Sequence, residues 1–202
     1  MRIRLFISSC LLFLTVDGYA QIDPIVNDSA VYISINKQRI ASQKNAMYVL
    51  GAWSVGNILY GSYRMNQTQN HPDYFFHQTN VLWNSINISI ATFGVISSIK
   101  EVPSADPILT LKKFHQTEQA FLFNTGLDLA YVASGLYLTE LGRNRNSEQI
   151  IGIGNSVMLQ GGFLFAFDLF KYFTVRNKTQ GIYRLMQGMQ FRTNGVGWRR
   201  TF

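Results

Sequence analysis

Cysteine is almost missing from this chain of 202 residues, and the one present, Cys10, lies in a leading segment that reads as removable. The mature chain would then have no disulfide, no thiolate metal site and no cysteine nucleophile. Acidic residues are also scarce, 11 against 18 Lys and Arg, for a formal net charge of +7. Basic charge is itself absent from four stretches: residues 46–63, 81–99, 121–138 and 149–169 hold no Lys or Arg. No serine and histidine fall at a plausible shared depth for nucleophilic catalysis, and Gly152-x-Gly154 lacks both the preceding strand and the third glycine of a dinucleotide site. The basic tail has almost no aromatic interleaving of the kind suited to nucleic acid, and anionic lipid head groups are the expected contact.

What is present is apolar length. Each of the four uncharged stretches approaches the ~20 residues that cross ~30 Å of hydrocarbon, and aromatic residues such as Tyr60, Tyr63, Phe76, Tyr137 and Tyr172 gather near their ends as an interfacial belt would. Arg2 and Arg4 precede an apolar run from Leu5 to Val16, and Gly18-Tyr19-Ala20 closes it as a cleavage site would, so residues 1–20 read as a signal peptide. The sequence therefore predicts an all-α membrane protein. Residues 21–45 form an exported segment with an amphipathic helix over 30–44, residues 46–170 a four-transmembrane-helix bundle, and residues 171–202 a basic tail with a β-hairpin about Asn194-Gly195. A soluble bundle with buried core helices is the alternative, because each stretch carries more polar atoms than a lipid-facing helix needs.

Export of the mature N-terminus places residues 21–45, the 100–120 connector and the tail on the periplasmic side of a bacterial inner membrane. Most of the basic residues then lie outside, and Arg64, Arg143 and Arg145 inside. That runs against the positive-inside tendency, a weaker guide once export has begun. A shift of 75 residues superposes Gly51 on Gly126, Trp53 on Asp128 and Asn80 on Asn155, too few matches to make a repeat.

The chemistry on offer is polar residues within the spans. Asn57, Asn87, Asp128 and Gln160 each sit near the midpoint of one, where no water can satisfy them. In the second span His77, Asn80, Asn84 and Asn87 form a helical stripe with Trp83 beside it, and in the third Asn124, Asp128 and Tyr131 form another. Asn57 in the first, one turn from Trp53, and Asn155 and Gln160 in the fourth complete the candidate polar network, with Trp53 and Trp83 as candidate cavity aromatics. Glycines 51, 56, 61, 126, 135, 152, 154, 161 and 162 would let the helices approach closely. Asp128 is the sharpest residue, because no span holds a cation to neutralise it. It is expected to be protonated, to be held by amides and a tyrosine hydroxyl, or to hold a cation, in a relay or a ligand cavity. A neutral aspartate cementing the helices is the structural alternative. Asp168 lies nearer the helix end, where it can reach the interface. His71, Asp73 and His77 lie close together, but a solvated loop with an interfacial histidine is the simpler reading than a metal site.

The runs LGAWSVGN at 50–57, YFFHQTNVLWNSIN at 74–87, FLFNTGLDLAYVASGLYL at 121–138 and LQGGFLFAFD at 159–168 resemble an uncharacterised family of small membrane proteins from Bacteroidetes-type bacteria. The resemblance implies a four-helix integral membrane protein and no established activity. Two functions stay open: binding or carrying a small amphipathic ligand or cation in a mid-membrane cavity, or a structural anchor whose basic tail recruits a protein partner. Membrane lipids are expected contacts and no cofactor is expected. An enzyme would need Asp128 and His77 to work together across many turns of apparent depth.

Overall fold

Proline and short polar turns divide the chain into four long helices. The computed structural model describes residues 28–68, 71–187, 189–192 and 195–198, so the signal-peptide reading of residues 1–20 lies outside the described residues. Helix α1 is Asp28–Met65, α2 Pro72–Lys100, α3 Pro107–Asn144 and α4 Glu148–Gln187. Pro72 and Pro107 stand in the first turns of their helices, where a missing N–H costs nothing. Asp106 caps α3, its carboxylate accepting from the N–H groups of Ile108 at 2.8 Å and Leu109 at 3.2 Å. At the other end of α3 the chain reverses within Arg145–Ser147. Asn146 adopts φ 50°, a left-handed conformation that asparagine tolerates, and the Ser147 N–H reaches back to the Gly142 carbonyl at 2.8 Å.

The helices are longer than the apolar stretches that announce them. With 38, 29, 38 and 40 residues they run from about 44 to about 60 Å at 1.5 Å per residue. The amphipathic segment expected over 30–44 is the first part of α1 itself. The basic segment from residue 171 begins as a continuation of α4 through Gln187, so neither 45 nor 170 is a break in structure. Two four-residue strands follow, β1 (Met189–Arg192) and β2 (Gly195–Trp198), paired antiparallel with Met189 opposite Trp198; residues 193–194, where the sequence places the hairpin's turn, lie outside the described residues. Among the described residues two helical stretches, Pro72–Lys100 and Glu148–Met186, are long and apolar enough to cross a membrane, where the sequence suggested four.

Helices α1 and α2 pack as one antiparallel pair, α3 and α4 as another, and α2 lies against α4. No Cα of α2 comes within 8 Å of α3. Close approach of α3 to α4 rests on glycine: a Cβ on Gly154 would stand 2.5 Å from the Thr139 N, and one on Gly135 2.7 Å from the Gly154 carbonyl. Gly56, Gly126 and Gly162, expected in the same role, face open space instead.

Where α1 begins, α3 begins and α4 ends, an apolar cluster of Tyr32, Phe114, Phe121, Tyr172, Val175 and Ile182 packs beside buried Asn36, Thr110 and Thr179. Further along, Ser54, Asn84, Ser156 and Gln160 are fully buried, while Leu59, Leu82, Phe93, Phe123 and Phe170 point outward. Buried hydroxyls there bond to their own helix, as Ser54 does to the Leu50 carbonyl at 2.8 Å and Thr125 to Phe121 at 2.8 Å.

Candidate functional site

The polar residues of the spans meet at two levels, not at the single one their midpoints suggest. At the first, α1, α2 and α4 are tied together. The Trp53 indole N–H donates to Gln160 Oε1 at 3.1 Å, the Gln160 amide donates to Asn80 Oδ1, and Asn80 Nδ2 donates to Asn57 Oδ1 at 2.7 Å. Asn57 Nδ2 closes the chain on the Trp53 carbonyl at 2.8 Å, and the Trp53 ring stacks on Phe163 with centroids 3.8 Å apart. Every amide in this chain engages both its ends, so the network holds helices together and offers no idle group.

The second level lies about 12 Å away, the eight-residue rise from Gln160 to Asp168 along α4. Here all four helices line a cavity of about 450 Å³. Its polar residues are Asn87 from α2, Asn124, Asp128 and Tyr131 from α3, and Asp168 from α4; apolar side chains, including Met47, Leu50, Ile86, Ile90, Leu127 and Leu164, make up most of the rest. The Asp128 and Asp168 carboxyl groups, from α3 and α4, line this one hollow together with the Asn124 amide. Asp128 is 3% exposed and Asn87 5%, yet Asp128 Oδ2 and Asn87 Nδ2 have no hydrogen-bond partner. Across the bundle from α2 to α3, Trp83 and Tyr131 meet edge to face with centroids 4.9 Å apart, and both line the cavity.

A second hollow of about 470 Å³ adjoins the first, sharing Met47, Phe121 and Asn124 with it. Its walls are charged. Arg39 Nη2 stands 2.6 Å from Glu101 Oε1, and Lys113 bonds the same carboxylate. Arg39 also reaches Gln43 Oε1 at 2.9 Å. Burial raises the Glu101 pKa, but hydrogen bonds and attraction from Arg39 and Lys113 outweigh it and hold the carboxyl below its ordinary value.

Of the residues singled out from sequence, Trp83, Asn87, Asn124, Asp128 and Tyr131 share the cavity, while Trp53, Asn57 and Gln160 belong to the other level. Asn84 is fully buried next to the first level, its Nδ2 on the Asn80 carbonyl at 2.8 Å and its Oδ1 without a partner, and Asn155 accepts from Thr139 Oγ1 at 3.1 Å in the α3–α4 seam. His77 packs between Tyr60 and Phe76 and does not line the cavity, so it and Asp128 do not share a site. Among the described residues no group of three His, Cys, Asp or Glu could hold a metal ion. Asp168 is the residue whose role the sequence understated: it faces the cavity, and the tight 145–147 turn contains the signal, since twenty residues counted back from Asn144 and forward from Glu148 reach Asn124 and Asp168.

The profile of the DUF6992 family, described only as a family of unknown function, matches residues 49–169, which include both polar levels. The chain belongs to that family. No curated protein and no solved structure matches it.

Proposed function

We propose that this DUF6992 protein is a multi-pass membrane protein that binds or carries a small amphipathic molecule in the cavity between its four helices. The carrying observation is the pair of idle polar atoms, Asp128 Oδ2 and Asn87 Nδ2, buried beside a hollow whose other walls are mostly apolar. A buried group without a partner costs about 1–3 kcal/mol, a cost that a bound molecule would relieve. The volume, about 450 Å³, lies within the range of small-molecule sites.

Membrane embedding is supported by the inverted distribution of side chains. Phe93 is 73% exposed and Leu59 68%, while the amide of Gln160 is sealed inside, an arrangement that suits a lipid surround. In this reading α1 and α3 span together with α2 and α4, and the apolar core about Tyr32, Phe114 and Ile182 stands outside the bilayer on the periplasmic side. The alternative, an anchor that recruits a partner protein, draws on the exposed basic residues of that end, Lys37, Lys112, Arg176, Lys178 and Arg184.

Mass spectrometry of small molecules and lipids copurifying with the detergent-extracted protein tests the proposal. One defined species near stoichiometric amount is expected with the wild-type chain and none with Leu164→Trp, which fills the hollow. The same lipid mixture on both proteins would leave the anchor reading.

A further inference from the structure

Resting on that reading of the cavity, we infer that its occupant is a lipophilic organic monocation, an ammonium-type centre on an apolar body, seated with its charge between Asp128 and Asp168. Two carboxyl groups converge there from different helices, and no Lys or Arg lines the hollow. Asp128 keeps one oxygen without a partner, and the idle end of the Asn87 amide can present oxygen as readily as nitrogen. An anion would find neither a cation nor a helix terminus in this wall. A bare metal ion fits poorly as well, because the hollow is many times its size and mainly hydrocarbon. An apolar body answers those walls, and the aromatic rings of Trp83, Tyr131 and Phe167 among the lining are groups a cation can meet.

Protons compete with such a cation for the same oxygens. The groups facing the carboxyl pair are few. Neither α1 nor α2 contributes a titratable side chain to the cavity; α3 contributes Asp128 and Tyr131, and α4 contributes Asp168. Lys171, one turn beyond Asp168, is turned away, its ammonium donating to Ser42 Oγ at 2.9 Å. The charged groups of the adjoining hollow, Arg39, Glu101 and Lys113, are occupied with one another. Cation affinity therefore rises with pH as the pair loses protons.

The full chain in zwitterionic nanodiscs, with radiolabelled tetraphenylphosphonium as the probe and empty nanodiscs subtracted, supplies the test. Saturable binding is expected, weakened roughly tenfold or more by Asp128→Asn or Asp168→Asn and strengthened in the wild type between about pH 5 and about pH 8. Tetraphenylborate, of the same shape and opposite charge, should not bind saturably. Equal binding of the borate, or a phosphonium affinity indifferent both to pH and to the two substitutions, overturns the inference. The wild-type pH profile stands as a measurement even if a substituted chain fails to fold. A neutral copurifying amphiphile displaced by Leu164→Trp, with no phosphonium bound, defeats the cation but keeps the cavity; no occupant and no phosphonium binding defeats both.

Discussion

A buried amide with both ends engaged and one with an idle end are chemically the same group doing different work. Asn80 bonds at each end, to Gln160 and to Asn57, whereas Asn87, two turns along the same helix, leaves its nitrogen free beside the cavity. Glu101 belongs to the engaged kind, with Arg39 and Lys113 on one oxygen. Its folded pKa lies below the ordinary value of 4.5, so its contribution to stability is complete above that pH and is lost as pH falls through the lower folded value. Thermal unfolding in detergent should therefore show a wild-type loss of stability in acid that Glu101→Gln lacks. At neutral pH the same substitution, which leaves Arg39 and Lys113 facing each other, should cost about 1–3 kcal/mol. The sequence made the polar types legible, because Asn, Asp and Gln stand out in uncharged stretches. Their level was not legible: the midpoint of an apolar run marks where hydropathy is centred, while the register between helices is set by the turns.

Among the elements, α3 and α4 share the most extensive contact, and glycine sets its closeness. Gly154→Ala puts a methyl against the Thr139 backbone N at 2.5 Å and should destabilise the fold by about 1–3 kcal/mol. Gly162→Ala, with nothing within 4 Å, should not destabilise it, and calorimetry or thermal unfolding of the two variants separates them. Nothing in a list of glycines distinguishes these positions, since which face of α4 meets α3 depends on the Asn146 reversal. Element number and order were readable from the four uncharged stretches. Helix length was not, because hydropathy falls where the chain becomes basic although the helix continues: Lys171 and Arg176 interrupt the apolar run of α4 but not its backbone hydrogen bonds.

For the molecule as a whole, the proposed membrane reading sets the bilayer around the level of Gln160 and Asp168 and leaves the end about Tyr32 and Ile182 in water. Cysteine labelling in a Cys10→Ser background, which removes the chain's one native thiol, locates that boundary and its side. With a membrane-impermeant maleimide on intact cells, Ala105→Cys in the α2–α3 connector should label and Gln67→Cys at the opposite end should not. The reverse pattern would turn the protein over, and labelling at both would remove the multi-pass reading. The sparse packing of α1 on α3, beside which both hollows lie, bears on how the protein is handled. A seam so loosely closed can admit whatever surrounds the bundle, so surfactant tails can enter there and masquerade as cargo. Preparations in short-chain and long-chain detergents should then differ in apparent emptiness, and only material kept in native bilayer patches reports what the cell put there.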